Sequence, residues 1–143
     1  MDITIREAKV SDSGAIAELA RTGLGYDCDD ELVKQRVAGL KENFDAAFVA
    51  ETEGKVIGFI QIVKYEPLYF EDMVNIMGLA VSEEYRRKGI GSMLLKRAEE
   101  WAREHNIRCI RLNSGGQRTW AHEFYRNAGF DNEKMQIRFI KNM

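Results

Sequence analysis

Residues 79–91 have the sequence Leu-Ala-Val-Ser-Glu-Glu-Tyr-Arg-Arg-Lys-Gly-Ile-Gly. This pattern predicts a buried strand, then a short basic turn, and then the start of a helix. The first backbone N–H groups of a helix have no partner within it, and the positive end of the helix dipole attracts anions. Gly89 and Gly91 leave room for close approach, and the three basic residues before them add positive charge. The stretch therefore predicts a cradle for phosphate and a ligand that carries a pyrophosphate.

The spacing of the glycines excludes two common phosphate-binding motifs. A nucleoside-triphosphate loop needs Gly, four residues and then Gly-Lys-Ser/Thr, and a dinucleotide fingerprint needs three glycines after the first strand. Neither pattern occurs in this chain. The Arg-x-x-Gly-x-Gly arrangement at 86–91, preceded by Leu79-Ala80-Val81, instead resembles the coenzyme A loop of the GCN5-related N-acetyltransferases. The resemblance extends over nearly the whole chain.

Composition limits the number of domains and the kinds of partner. A chain of 143 residues, 45% hydrophobic and 31% charged, predicts one domain over residues 1–143. The net charge of -2 and the pI of 5.8 argue against a nucleic-acid partner. Cys28 and Cys109 are too few for a disulfide framework and match no zinc spacing, so we expect no metal and a reducing, cytoplasmic compartment. No apolar run approaches the length of a membrane span, and we expect no membrane partner.

Periodicity and turn signals predict the order strand, two helices, three strands, helix, strand, helix and strand, with a tight turn at Glu53-Gly54. Asp12 is expected to cap the first helix, and Gly78 within a predicted strand indicates a bulge or a close approach of ligand to the backbone. The order predicts an α+β fold. The resemblance implies an acyl-CoA N-acyltransferase fold, with a mixed, mostly antiparallel, twisted sheet flanked by helices on both faces. The predicted strands cover 2–7, 47–52, 55–65, 73–81, 107–112 and 135–141, and the predicted helices start at Asp12 and at Asp29-Asp30 and cover 89–105 and 120–127.

A second motif, at residues 121–130, resembles the late helix of the same family, which places a tyrosine hydroxyl near the thioester sulfur. Tyr125 is the matching residue. When a neutral amine attacks acetyl-CoA, the thiolate of coenzyme A leaves, and a hydroxyl beside the sulfur can protonate it. The resemblance therefore implies that Tyr125 is the general acid. The alternative is a purely structural role, in which Tyr125 is an ordinary core aromatic with its hydroxyl at the surface.

The general base is left open by the sequence. Histone-type members of the family carry a glutamate six residues before the last cofactor-contacting residue of the central strand, and that position here is Asn75. Asparagine takes up no proton at neutral pH, although it can orient a water molecule. Glu71 and Asp72, just before the strand, are the remaining base candidates.

The resemblance also implies which residues contact coenzyme A. The backbone amides of Leu79 and Val81 would hold the pantetheine arm, and residues 86–92 would hold the pyrophosphate. Arg118 stands where many members have an asparagine that contacts the arm. The complete set of expected cofactor contacts is Leu79, Ala80, Val81, Arg86, Arg87, Lys88, Gly89, Ile90, Gly91, Ser92, Asn113, Arg118 and Phe124.

The function implied is transfer of the acetyl group of acetyl-CoA to a primary amine by direct attack in a ternary complex. The acceptor stays open among small amines, antibiotics, amino acids and protein N-termini. Two alternatives are a non-catalytic acyl-CoA-binding regulatory module and an RNA-associated protein that uses residues 86–88 on phosphates. A homodimer is also open, because the predicted final strand can pair with a copy of itself.

Overall fold

A computed structural model describes all 143 residues, which fall into two compact units, Met1–Leu112 and Asn113–Met143. The first unit holds the whole sheet and three helices, and the second holds one helix and the C-terminal residues. A single domain over 1–143 stays a prediction. The strands are β1 (Thr4–Glu7), β2 (Asp45–Thr52), β3 (Lys55–Tyr65), β4 (Met73–Val81) and β5 (Ile110–Leu112), and the helices are α1 (Ser13–Leu19), α2 (Asp30–Ala38), α3 (Ile90–Glu104) and α4 (Thr119–Asn127).

The five strands form one sheet in the order β1-β2-β3-β4-β5. The first three pairs are antiparallel, and only β4 and β5 are parallel. The turn between β2 and β3 is the predicted Glu53-Gly54 turn, in which both residues have positive φ. The predicted α+β class and the mixed, mostly antiparallel sheet are confirmed.

Helices cover both faces of the sheet. Phe59 of β3 packs in one buried cluster with Ile16 and Leu19 of α1. At the preceding position, Gly58, an added Cβ would lie 3.2 Å from a methyl carbon of Leu94 in α3. Because successive residues of a strand point to opposite faces, α1 and α3 lie on opposite sides of the sheet, as predicted.

A β-bulge interrupts β4. Gln61 of β3 is opposite Gly78, but the next residue, Ile62, is opposite Ile76, so Met77 is an extra residue on β4. The bulge predicted from Gly78 is therefore confirmed. Parallel pairing with β5 ends at Ile76 and Leu112, which leaves the rest of β4 beyond the end of β5.

Two predicted strands differ in the structure. The strand predicted at 107–112 begins only at Ile110, because the chain is still leaving α3: the N–H of Ile107 donates to the carbonyl of Ala102. The strand predicted at 135–141 does not form, and residues 131–143 belong to no helix or strand. The prediction was wrong because an alternating pattern forms a strand only where a neighbouring strand accepts its backbone hydrogen bonds.

The cap predicted for α1 also differs. The Asp12 carboxylate accepts hydrogen bonds from both terminal nitrogens of Arg6, at 2.8 and 3.0 Å, and from the N–H of Lys9, at 2.7 Å. It makes no side-chain cap of α1. The Asp12 carboxylate pairs with Arg6 because Asp12 is buried, only 6% exposed, and a buried charge needs a charged partner. Arg6 therefore holds the pKa of Asp12 below its ordinary value.

We expect Asp12→Asn to lower the free energy of unfolding at pH 7 by about 1–3 kcal/mol, since the change removes a charged, hydrogen-bonded partner of Arg6. A carboxyl with a lowered folded pKa stabilises the protein above its unfolded pKa, and this contribution is lost as the pH falls through the folded pKa. Urea unfolding at pH 7 and below pH 4 measures the difference, which should shrink in acid. Glu51→Gln, which removes the more exposed partner of Arg6, is the control and should have a smaller effect. A difference that does not change with pH would contradict the assignment.

Candidate active site

The predicted phosphate cradle is formed by the turn between β4 and α3. Arg87 and Gly89 have φ of 62° and 80°, and Gly89 is the residue from which α3 starts. The first hydrogen bond of the helix runs from the N–H of Met93 to the carbonyl of Gly89, at 3.0 Å. The N–H groups of residues 90–92 lie before that bond and have no acceptor within the helix. A Cβ built on Gly89 would meet nothing within 4 Å, so the space beside this residue, where α3 starts, is open.

The start of α3 is held in place by burial of Ile90. This residue is 1% exposed, and Leu94, one turn later, is fully buried. Ile90 was predicted to contact the cofactor; since its side chain belongs to the core, only its backbone N–H faces the turn. Packing of this first turn on the sheet fixes the direction of the free amides.

The three basic residues of the turn have different surroundings. The Nε of Arg86 donates to the carbonyl of Val81, at 3.3 Å, so this side chain folds back over the end of β4. The Nζ of Lys88 lies 5.7 Å from the ring centroid of Tyr85. Arg87 is exposed. All three add positive charge beside the helix N-terminus, which is the arrangement that a diphosphate requires.

Near the end of β4, the backbone N–H and C=O groups of Leu79 and Val81 point away from β3. The N–H of Ser82 donates to the carbonyl of Ile57, near the start of β3, at 2.8 Å. Because backbone groups of successive strand residues point to opposite sides, those of Val81 and Leu79 face the other way, beyond the end of β5. The contact of the Val81 carbonyl with Arg86 agrees with this direction. Ala80, predicted as a further contact, instead directs its backbone to β3 and is 6% exposed.

These features fit coenzyme A. An extended, amide-bearing arm can pair with the Leu79 and Val81 backbone as an added strand would. The arm would lead toward the helix start at Gly89, where a diphosphate can accept the free N–H groups. Both parts of the site belong to the first unit.

Tyr125 lies on α4 in the second unit, where its ring contacts two phenylalanines. The ring centroids of Phe124 and Phe130 are 5.2 and 5.6 Å from that of Tyr125, both edge to face. Burial raises the pKa of Tyr125 above its ordinary value, and the positive charge of Arg118 offsets part of this shift. The phenol therefore keeps its proton at neutral pH, as a general acid must.

The other predicted residues of the second unit precede or lie on the same helix. Arg118 immediately precedes α4, and its guanidinium carbon is 4.8 Å from the ring centroid of Trp120. Asn113 is the first residue of the unit, and Phe124 packs on Tyr125. The hydroxyl oxygen of Ser114, in the same unit, is buried with no hydrogen-bond partner. An acceptor-bearing ligand would satisfy it.

The carboxylates named as base candidates lie at the other end of β4 from the cradle. Glu71 and Asp72 are exposed and line a shallow cavity with Asn106 and Arg108. Nine residue steps separate Asp72 from Val81, which corresponds to about 30 Å along an extended strand. A direct role of either carboxylate as base stays a prediction.

Asn75 belongs to a cluster that sequence reasoning missed. Its side-chain oxygen accepts a hydrogen bond from Arg111, at 2.6 Å, and its nitrogen lies 3.2 Å from the sulfur of Met77. The guanidinium of Arg111 in turn lies 4.5 Å from the ring centroid of Tyr65. The contact arises because Asn75 and Arg111 are opposite each other in the parallel β4–β5 pair. Asn75 and Arg111 are 36 residues apart in the sequence, so only the register of β4 and β5 could have revealed their contact.

Comparison with known proteins identifies the family. The model of the acetyltransferase (GNAT) family matches residues 15–130. An N-acetyltransferase of Chlorobaculum tepidum is 33% identical over 117 residues, 80% of this chain and 71% of that protein. An N-alpha-acetyltransferase of Sulfurisphaera tokodaii is 29% identical over 140 residues, 92% of this chain and 81% of that protein. The crystal structure of aminoglycoside N-acetyltransferase AAC(6')-Iy in complex with CoA superimposes with a TM-score of 0.86 and 17% identity, covering 99% of this chain and 96% of that one.

The chain belongs to the acetyltransferase (GNAT) family. It is an acetyl-CoA-dependent N-acetyltransferase, and acetyl-CoA is its co-substrate. The resemblance inferred from residues 79–91 and 121–130 is confirmed. None of the helices is both long and apolar enough to cross a membrane.

Proposed function

We propose that the protein holds acetyl-CoA along the end of β4 and at the start of α3, and transfers its acetyl group directly to a primary amine. The observation that carries this proposal is the outward direction of the Leu79 and Val81 backbone, followed nine residues after Val81 by the first of the free helix amides at residues 90–92. One continuous surface of the chain thus offers donors for the arm and for the diphosphate.

The reaction needs two proton transfers. The amine nitrogen uses its lone pair to form a bond to the thioester carbonyl carbon, and the C–S bond breaks. Tyr125 donates its proton to the leaving thiolate, which becomes the free thiol of coenzyme A. The raised pKa of Tyr125 supports this role, because a phenol that is neutral at pH 7 has a proton to give.

The amine must lose a proton before or during attack. Deprotonation of an alkyl ammonium with a pKa of about 10.4 costs ~4–5 kcal/mol at pH 7. We assign this step to water oriented by Asn75, whose amide is fixed by Arg111 and Met77. Glu71 and Asp72, which lie just before β4, would receive the proton through further waters.

The acceptor proposed is a primary amine of no further specified class. The relatives differ in the acceptors that their names state: one name gives an α-amino group, and another gives an aminoglycoside. Acceptor pockets in such folds are formed by variable loops. Here the loop from Glu66 to Asp72 combines three carboxylates with three exposed apolar side chains.

The compartment and partners belong to the same proposal. Cys28 and Cys109 are free thiols, which suits the reducing cytoplasm. The proposed partners are acetyl-CoA, the amine and a second copy of the chain, without nucleic acid or membrane. The acidic pI of 5.8 supports exclusion of nucleic acid.

A screen for free-thiol release tests the proposal. Acetyl-CoA is incubated with the protein and, separately, with an aminoglycoside, a polyamine, free amino acids and a peptide with a free N-terminus. We expect at least one amine to raise thiol release well above the amine-free rate. Coenzyme A binding by calorimetry with no release for any amine would favour the non-catalytic module instead, and absence of binding would contradict both. Replacing both Glu71 and Asp72 by the corresponding amides, assayed with the active amine, should lower the rate, because these carboxylates receive the proton in the proposed route.

A further inference from the structure

Helix α1 and the helical turn that follows it cover only part of their face of the sheet. Phe59 of β3 packs on α1, and a Cβ built on Gly78 of β4 would lie 3.4 Å from a methyl carbon of Leu24. Toward the end of β3 and the start of β4 the cover is incomplete, because Tyr65 and Met77 are 37% and 58% exposed. This part of the sheet therefore offers a surface to a ligand.

Tyr65, Asn75 and Arg111 form a connected cluster on that surface. Asn75 is opposite Arg111, and Tyr65 is opposite Met73, two residues before Asn75, so the three side chains point to the same side of the sheet. The guanidinium of Arg111 donates to the side-chain oxygen of Asn75, at 2.6 Å, and lies 4.5 Å from the ring centroid of Tyr65. These two contacts fix the guanidinium plane, and a fixed plane is well suited to bind a carboxylate.

The thioester of acetyl-CoA has a defined place relative to this cluster. In the arrangement proposed above, the arm pairs with Leu79 and Val81 and leads to the diphosphate at Gly89. Its thioester end therefore points back along β4, toward Met77. Asn75 lies two residue steps before Met77, which corresponds to about 7 Å along a strand. An amine that attacks from the side of Asn75 thus has the cluster within the length of a short molecule.

The side chain between the thioester position and Arg111 is apolar. The sulfur of Met77 lies 3.2 Å from the side-chain nitrogen of Asn75, so Met77 is on the same side of the sheet as the cluster. An exposed methionine provides a flexible, apolar surface on which a methylene chain can pack. The surface thus has a reactive end, an apolar middle and a guanidinium at the far end.

We propose that the acceptor is an amino acid whose primary amine and carboxylate are joined by a short methylene chain, and that Arg111 binds the carboxylate. The inference rests on the proposed function, because it uses the position given there to acetyl-CoA. One guanidinium can donate two parallel hydrogen bonds to a carboxylate, whereas a polyamine would place a second positive charge beside Arg111. Arg111 is then the residue that determines acceptor specificity.

Matched acceptors that differ only in the carboxylate test this inference. γ-Aminobutyrate and ε-aminocaproate are each compared with the corresponding amide, and thiol release from acetyl-CoA gives kcat and KM for every amine. We expect the wild type to prefer the carboxylate by at least about 10-fold in kcat/KM, the factor that one hydrogen bond to a charged group provides. The preference should arise chiefly from a lower KM, since the carboxylate is remote from the reacting atoms.

Substitutions of Arg111 assign the preference to this side chain. Arg111→Gln should abolish it, and Arg111→Lys should keep part of it, because lysine retains the charge without the two-bond geometry. Loss of the hydrogen bond to Asn75 lowers the rates with both members of a pair, so their ratio isolates the carboxylate contact. Arg108→Gln removes the same charge from an exposed position three residues away and should keep the wild-type ratio.

The outcomes separate this inference from the proposed function. Amides that react as well as the carboxylates would overturn the inference and leave the acetyltransferase reaction intact. A preference for the carboxylate that persists in Arg111→Gln would also overturn it, as would a lack of reaction with both amino acids when another amine of the screen is active. Absence of thiol release with every amine would contradict the proposed function, and the inference with it.

Discussion

Tyr125→Phe should lower kcat by about 10²- to 10⁴-fold, the usual contribution of a positioned general acid. The change removes only the hydroxyl, so the edge-to-face contacts with Phe124 and Phe130 are kept. Affinity for acetyl-CoA should stay nearly unchanged, since the proposed cofactor contacts of the first unit are untouched. The measurement is steady-state thiol release at saturating acetyl-CoA and amine, with cofactor affinity measured by calorimetry.

The pH profile distinguishes an acid from a structural tyrosine. An acid must be protonated to act, so wild-type kcat should fall at high pH as Tyr125 ionises. Because burial raises the pKa of Tyr125, this fall should lie above pH 10, and it should be absent from Tyr125→Phe. Tyr26→Phe, which changes an exposed tyrosine, is the control and should keep the wild-type rate. An unchanged kcat in Tyr125→Phe would eliminate the acid role.

The second large effect is expected from Gly89→Val, which should weaken acetyl-CoA binding at least about 100-fold. The new side chain would occupy the open space beside the residue from which α3 starts, and valine disfavours the φ of 80° found there. Loss of two charge-assisted hydrogen bonds at about 1.5 kcal/mol each is sufficient for this factor. Calorimetric titration of coenzyme A into the folded variant gives the affinity.

A matched substitution separates binding from backbone strain. Gly54, in the β2–β3 turn, has a φ of 75° and likewise has nothing within 4 Å of an added Cβ. Gly54→Val should therefore suffer the same strain, about 1–3 kcal/mol of stability, and bind coenzyme A normally. Equal loss of binding in both variants would mean that strain, and not the cradle at Gly89, explains the result.

Sequence reasoning located the parts of the molecule whose signals are local. The span of β4, the Glu53-Gly54 turn and the start of α3 at Gly89 all follow from residues within a few positions of each other. Hydrophobic periodicity, turn residues and free helix amides are properties of short segments. The phosphate cradle was predicted for that reason.

Contacts between distant segments were not predicted. The pair of Asn75 and Arg111 depends on the parallel register of β4 and β5. The strand predicted at 135–141 needed a neighbour that the pattern itself cannot supply. Each of these depends on where the chain returns in space, which a pattern within one segment does not encode.

The extra residue Met77 reverses the parity of β4. Before it, the even-numbered Val74 turns its N–H toward β5 and donates to Cys109. After it, the odd-numbered Leu79 and Val81 turn toward that same side. Without the insertion, strict alternation would turn the backbone groups of Ala80 toward the β5 side and those of Leu79 and Val81 toward β3. The first half of β4 thus pairs with β5, and the second half directs the backbone groups of Leu79 and Val81 to a ligand. Insertion or deletion of an odd number of residues between the two halves would turn these backbone groups toward β3 instead.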